Sequence, residues 1–283
     1  MRVLLTGGSG LVGTRLAPML AERHEVTHFE RIDPADGLPW IEGDLLDSGA
    51  VAEACAGQEA VVHVAAIHGA RWQELGDHAM FEINVMGTHN VLGGAARAGV
   101  RRVVFTSSIS ATGHGQGTPP PYLPIDEDIP RGAADLYGHS KEVGELLCRH
   151  ATARHGLSTI ILRPGYICAE DVDFARTLDF LFFMVDVRDV ARAHLLAVEG
   201  VRHLRHATFL ITADSPLVGI EPLQYFADRV GTLAKLYPGI GRYLEDGTLA
   251  PPRGTEWYTI DRARTIMGYQ PQHGFALPQG PTA

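Results

Sequence analysis

The stretch that most constrains this chain is TGGSGLVG, residues 6–13, which follows the strand-like RVLL and opens a helical pattern. Gly7, Gly10 and Gly13 recur at every third position. Glycine allows a tight turn and a close approach of backbone to a bulky ligand, and a glycine in the first helical turn lets the helix pack closely on a sheet. The helix start, at Leu11 and Val12, offers unpaired N–H groups and the positive end of a dipole. Together these features predict a cradle for a pyrophosphate, and so a dinucleotide site. The spacing differs from G-x-G-x-x-G, and a bare strand-to-helix turn is the other reading.

Glu30 adds weight to the ligand reading. It ends the second strand-like run, HEVTHFE, about 20 residues past the glycines, where an acid binds the adenosine ribose hydroxyls. An acid there repels the extra phosphate of NADP and favours NAD. Arg31 beside it is suited to hold that phosphate, so NADP stays open.

Apolar runs then alternate with helical patterns. EAVVHVAA is continuous in its apolar character, as in a strand buried on both faces. VRRVVFTSS and LSTIILRPG are further strands, PWIEG a weak one, and FFMVDV and ATFLITA follow later. Long helices are expected over 78–98 and 135–155, each closed by a glycine, and a short one capped by Asp47 or Ser48. Pro18 is expected to kink or limit the first helix. This alternation predicts an α/β fold with a parallel, doubly wound sheet of Rossmann type. Residues 1–165 and 186–213 form the expected dinucleotide-binding domain. Residues 166–185 and 214–283 form a small, discontinuous C-terminal lobe, with helical stretches near 221–236, 240–244 and 261–267. The proline-rich segment 113–132 reads as a loop that serves a site or moves.

Composition narrows the function. The chain has 283 residues and a net charge of −9, which argues against a nucleic-acid surface. Cys55, Cys148 and Cys168 are too few and too scattered for a disulfide framework or a zinc site, so a reducing cytoplasm is expected. The N-terminal apolar run has the length of a strand rather than of a signal peptide, and no run of about 18 apolar residues suggests a membrane span. Fourteen histidines invite a metal reading, yet no HExxH occurs. HLRH and the pair His150 and His155 lack a third ligand nearby in sequence. His68 and Trp72, and likewise His114 and His139, face either substrate or solvent. Asp186, Arg188 and Asp189 read as a cap with a local ion pair.

LYGHSK, residues 136–141, places Tyr137 and Lys141 on one helical face. A phenol with a pKa near 10 is a poor base at neutral pH. A neighbouring ammonium is expected to lower that value and to make Tyr137 a proton-transfer group. Ser108, just past the strand ending FTSS, is placed to donate to the same substrate oxygen. Turn or cap chemistry is the plain alternative for Ser107 and Ser108.

The chain resembles the extended short-chain dehydrogenase/reductases, the NAD-dependent epimerase/dehydratase family. The resemblance rests on TGGSGLVG, GDLLD, HVAA, NVMGTHNVL, FTSSIS, YGHSK, LRPG, VDVRDVARAHLLA and DRARTIMGYQP in that order. It implies that Gly7, Gly10 and Gly13 hold the pyrophosphate, Glu30 the ribose, and Asp44 and Leu45 the adenine. Ala65, Ala66, Ser107 and Pro164 would line the cofactor, with Asn84 behind the site. Ser108, Tyr137 and Lys141 would be the catalytic set, and His68, Ser108 and Tyr166 would face the substrate. It implies an oxidoreductase or epimerase acting on a sugar or other small molecule, and a homodimer. A nucleotide-sugar epimerase or dehydratase with retained NAD stays open, as does a non-catalytic NAD(P)-binding regulator. The chain departs from the family in ISATG, which lacks the usual aromatic, and in Thr259, where an aspartate is usual. Its short segment between LRPG and VDVRDVA implies a smaller substrate, such as a free sugar, a uronate or another hydroxy or carbonyl compound.

Overall fold

The computed structural model describes residues 1–113, 119–173, 177–201, 203–250 and 254–277. Seven parallel strands form one sheet: β1 (Arg2–Thr6), β2 (Glu25–Glu30), β3 (Trp40–Glu42), β4 (Ala60–His63), β5 (Arg102–Thr106), β6 (Ser158–Pro164) and β9 (His206–Ile211). Their order is β3-β2-β1-β4-β5-β6-β9. The interior strand β1 pairs on both sides, Val3 with Val26 of β2 and with Ala60 of β4. The two short strands β7 (Tyr166–Cys168) and β8 (Met184–Asp186) pair as a separate parallel ribbon; β8 falls in FFMVDV, expected as a strand, whereas β7 was not expected.

Alternation along β1 builds the two layers. Successive side chains point to opposite faces. Val3 and Leu5 meet α1 (Gly13–Ala21) and α6 (Val187–Glu199) through Leu16, Leu20, Val190 and Ala197. Leu4 faces the other layer, with α2 (Ser48–Cys55), α4 (Thr88–Arg97) and α5 (Leu136–His155), through Val51, Val91, Leu92 and Cys148. Asp47 caps α2, its carboxylate accepting from the amides of Gly49 and Ala50. Gly99 and Gly156 close α4 and α5 at φ of 70° and 71°, conformations that favour glycine. Asp186 caps α6 and pairs with Arg188 at 2.8 Å.

The helix expected over 78–98 forms, but a wide π turn, Ile83–Gly87, joins α3 (Gly69–Glu82) to α4, and α3 itself breaks at Gly76 (φ 82°), before the expected start. Such turns insert an extra residue and often accompany a site. Here the turn carries Asn84, and the hydroxyl of Thr88 donates to the Asn84 carbonyl at 2.6 Å. The helix expected over 221–236 is two, α7 (Pro222–Ala227) and α8 (Arg229–Leu236), because Asp228 leaves helical backbone and caps α8 by accepting from Gly231 at 2.8 Å. Residues 119–132 form a loop, as expected, in which Ile125 bridges to Tyr258, and Ile125 and Ile129 are buried against Leu210. Pro18 sits inside α1, which ends at Ala21, about one turn later. His114 lies outside the described residues.

Beyond the sheet, Leu178, Leu181 and Phe182 join Leu217, Tyr225, Leu233, Ile240 of α9 (Ile240–Glu245) and Trp257 in a separate apolar cluster. The rings of Tyr225 and Trp257 meet edge to face, 5.3 Å between centroids.

Candidate active site

A cleft of about 1120 Å³ opens along the C-terminal ends of the parallel strands. Parallel strands present their following loops on one edge, and ligands of open α/β sheets bind there.

The loop after β1 forms one wall with Gly7, Gly10, Leu11 and Val12. Gly7 has φ of +80°, and a Cβ there would lie 2.5 Å from the Ala65 amide nitrogen, so the loop seats against β4 only with glycine. Gly13 does not line the cleft. A Cβ on it would lie 2.0 Å from the Gly7 carbonyl oxygen, so it serves the packing of helix on loop. Glu30 lines the same end, and its Oε1 is buried with no hydrogen-bond partner among the described residues. Burial raises its pKa, against hydrogen bonds from Gly8 and Ser9. A buried acceptor without a partner, beside a cradle that excludes Cβ atoms, fits a ribose diol next to a pyrophosphate. Arg31 and Asp44 lie 3.8 Å apart at the exposed rim, and Leu45 completes that end.

The loop after β4 brings Ala65, Ala66 and His68 to the middle of the cleft. Asn84 is not on the lining. Its side chain accepts from the Ile67 amide at 2.7 Å and donates to the Ile67 carbonyl at 3.0 Å and to Ser140 at 3.1 Å. It therefore ties the β4 loop to α5 from behind. Trp72 donates to Asp77 at 2.8 Å, and His139 lies near Glu142 on an exposed face.

Ser108, Tyr137 and Lys141 converge on the opposite wall. Asp135 caps α5 by accepting from Gly138 at 2.6 Å, which sets the first turn and with it Tyr137. Tyr137 stands beside His68, ring centroids 5.9 Å apart. Lys141 is buried and donates to the Thr106 carbonyl at 2.8 Å, and its Nζ lies 5.8 Å from the centre of the Tyr137 ring. The expected acidification of the phenol is not found. Burial pushes the Tyr137 phenol up to about 12, and a hydrogen bond with Ser108 is the force that pulls it down. Burial lowers Lys141 to about 8, with Glu145 opposing. The ammonium is turned to a backbone carbonyl rather than to the phenolic oxygen, which explains why it does not offset the burial of the phenol.

Ser107 and Ser108 divide. The Ser107 hydroxyl donates to Glu145 at 2.6 Å, whereas Ser108 accepts from the Ser110 amide at 3.1 Å and reaches Tyr137. Pro164 and Tyr166 line the cleft after β6.

Sequence reasoning missed the groups behind and across from this wall. Glu145 holds the Arg163 guanidinium with both oxygens, each at 2.8 Å, and Arg131 at 2.9 Å. Arg163 also donates to the Glu127 carbonyl at 3.1 Å. Glu256, between α9 and the C-terminus, also lines the cleft. LRPG and the fourth position past Lys141 carried a signal for the Arg163 pair; Glu256 had none. Among the described residues no group of three His, Cys, Asp or Glu side chains is placed to hold a metal ion.

A doubly wound sheet with a glycine cradle, an acid with one unpartnered oxygen at the end of β2 and a Ser, Tyr and Lys set defines a dinucleotide-binding α/β protein. The NAD dependent epimerase/dehydratase family model matches residues 3–179, and the chain belongs to that family. It is 36% identical to 2-alkyl-3-oxoalkanoate reductase of Stenotrophomonas maltophilia over 96% of this chain and 95% of that protein. It is 37% identical to 3-beta-hydroxysteroid dehydrogenase of Mycolicibacterium neoaurum over 72% of this chain, a match spanning only 56% of that relative's length. L-arabinose 1-dehydrogenase (NAD(P)(+)) of Haloferax volcanii is 34% identical over 60% of this chain and 68% of its own length. Among solved structures, a short-chain dehydrogenase/reductase superfamily protein of Agrobacterium tumefaciens with bound NAD superposes at a TM-score of 0.72, with 24% identity, over 96% of this chain and 93% of that one. That likeness speaks to the fold. No helix among the described residues is long and apolar enough to cross a membrane.

Proposed function

We propose that this chain is an NAD(P)-dependent oxidoreductase that works at a hydroxyl-bearing or carbonyl carbon of a small substrate, with NAD the preferred cofactor. The observation that carries the reading is the facing of two walls across one cleft: the glycine cradle with Glu30, and Ser108 with Tyr137 and Lys141. The nicotinamide, when bound, supplies the site that accepts or gives hydride.

The chain's own residues do the rest. Leu11 and Val12 present helix-start amides to the pyrophosphate. Glu30 accepts from the ribose hydroxyls through its unpartnered Oε1. Tyr137 exchanges the proton of the substrate oxygen. Ser108, whose side chain interacts with the phenol, orients that oxygen. Lys141 is held by Thr106 beside the Tyr137 ring. From there it bonds the ribose of the nicotinamide half, and its charge favours the developing phenolate.

The substrate reading draws on the far end of the cleft, where Ile109, Ile167 and Phe183 give an apolar lining. That lining, with a steroid enzyme among the relatives, supports a ketone or secondary alcohol with an apolar body; the oxoalkanoate reductase relative shares the ketone but is named for a keto acid. A sugar is the second reading, supported by the arabinose dehydrogenase relative. Retained Tyr137 and Lys141 weigh against a purely regulatory protein. A homodimer through α4 and α5 belongs to the same proposal, supported by exposed Met86 and Leu146 beside and on those helices. So does a reducing, cytoplasmic setting, supported by three free, buried cysteines. The test is a panel of ketones, alcohols and sugars followed by nicotinamide absorbance. Turnover of a ketone or alcohol supports the reading, and no NAD(H) binding at all contradicts it.

A further inference from the structure

We propose that Glu256 is the residue that selects the substrate: it receives a hydroxyl or other neutral hydrogen-bond donor and excludes carboxylates and phosphates. This inference rests on the oxidoreductase reading above and names its substrate class.

Glu256 lines the cleft and is only 7% exposed. Its Oε2 is buried with no hydrogen-bond partner among the described residues, and its Oε1 accepts a long bond of 3.4 Å from the Tyr258 hydroxyl. Buried polar groups nearly always find partners, and an exception needs an explanation. The position in the cleft supplies one. Tyr258 belongs to a cluster with Ile125, Ile129 and Leu210, against which Ile109 and Phe183 pack. Ile109 and Phe183 also line the cleft. Glu256 therefore stands at the β6 and β9 end, beyond Ser108 and far from Glu30 at β2.

Burial raises the Glu256 pKa, and the Tyr258 hydroxyl opposes it. No described cation counters that burial, so a second anion brought beside this carboxyl meets uncompensated repulsion or must take up a proton. A substrate hydroxyl instead satisfies Oε2 and removes the cost of leaving it unpaired. With the apolar neighbours, the substrate class becomes a neutral hydroxyketone, or the corresponding diol, on an otherwise apolar body.

The experiment uses NADH-loaded wild type, Glu256→Gln and Glu256→Leu, with 4-hydroxy-2-butanone and acetoacetate as probes. Wild type is expected to favour the neutral hydroxyketone in kcat/KM. Glu256→Gln is expected to shrink that preference about ten-fold, chiefly through KM for the keto acid. An unchanged preference overturns the proposal. A second readout needs no turnover. A carboxyl kept for a ligand rather than for the fold costs stability, so Glu256→Leu is expected to melt at or above wild type. A fall of about 4 °C or more assigns the carboxyl to the fold and overturns the proposal. Failure of the oxidoreductase reading looks different: all three proteins then fail alike to bind NADH or to reduce any ketone.

Discussion

The ammonium of Lys141 is bonded to the carbonyl of Thr106 at 2.8 Å, one residue before the pair Ser107 and Ser108. The strand end thus fixes the lysine, and the lysine flanks the ring of Tyr137, its Nζ 5.8 Å from the ring centre. The cation is held ready beside a phenol that burial keeps protonated.

That placement gives Lys141 a measurable effect on stability. Its folded pKa is lowered to about 8 from its ordinary 10.5. Between those values the unfolded chain binds more protons, so this group makes stability rise with pH through the window and penalises the fold below it. Lys141→Met should remove that rise, as the difference between the two proteins in denaturant midpoint against pH. Parallel curves for variant and wild type would contradict the buried, depressed lysine.

The phenol makes a separate prediction. With Tyr137 pushed up to about 12, the cofactor-free protein should show no tyrosinate from this residue at neutral pH. The check is the difference spectrum of wild type against Tyr137→Phe. Because Ser108 supplies the force that pulls the value down, Ser108→Ala should delay tyrosinate formation to still higher pH.

Behind the site, Glu145 binds Arg163 with both oxygens in a buried pair. Removing one partner leaves an uncompensated buried charge. Glu145→Ala should cost about 3–5 kcal/mol in denaturant unfolding. Arg163→Met with Glu145→Gln should recover part of that loss, because both charges then leave together.

Glu30→Ala should bring the Kd values for NADP and NAD closer together, since the acid repels the extra phosphate and Arg31 remains to receive it. The measurement is titration of both cofactors. An unchanged ratio would remove Glu30 from cofactor choice.

The strand and helix alternation was readable because each period is local: Val3, Leu4 and Leu5 already sort the two faces of β1. Gly7, Glu30, Ser108 and Tyr137 were readable because each follows a strand end or opens a helix, and strand ends share one edge. The π turn at Asn84 was not, because it depends on a side chain reaching the Ile67 backbone and Ser140 across the fold. Glu256 was hidden for the same reason. Nothing around TEW marks its neighbours, and only the packing of Tyr258 on Leu210 carries it to the cleft. The pKa of Tyr137 also escaped the sequence. Helical spacing gives the distance to Lys141 but neither the depth of burial nor the carbonyl that draws the ammonium aside.

The proton-transfer role of Tyr137 is best tested on one preparation of Tyr137→Phe, with NADH affinity and ketone reduction measured together. The expected result is an NADH Kd close to that of wild type and turnover lowered about 10²–10⁴-fold. Reduction at the wild-type rate by a variant that still binds NADH would contradict it.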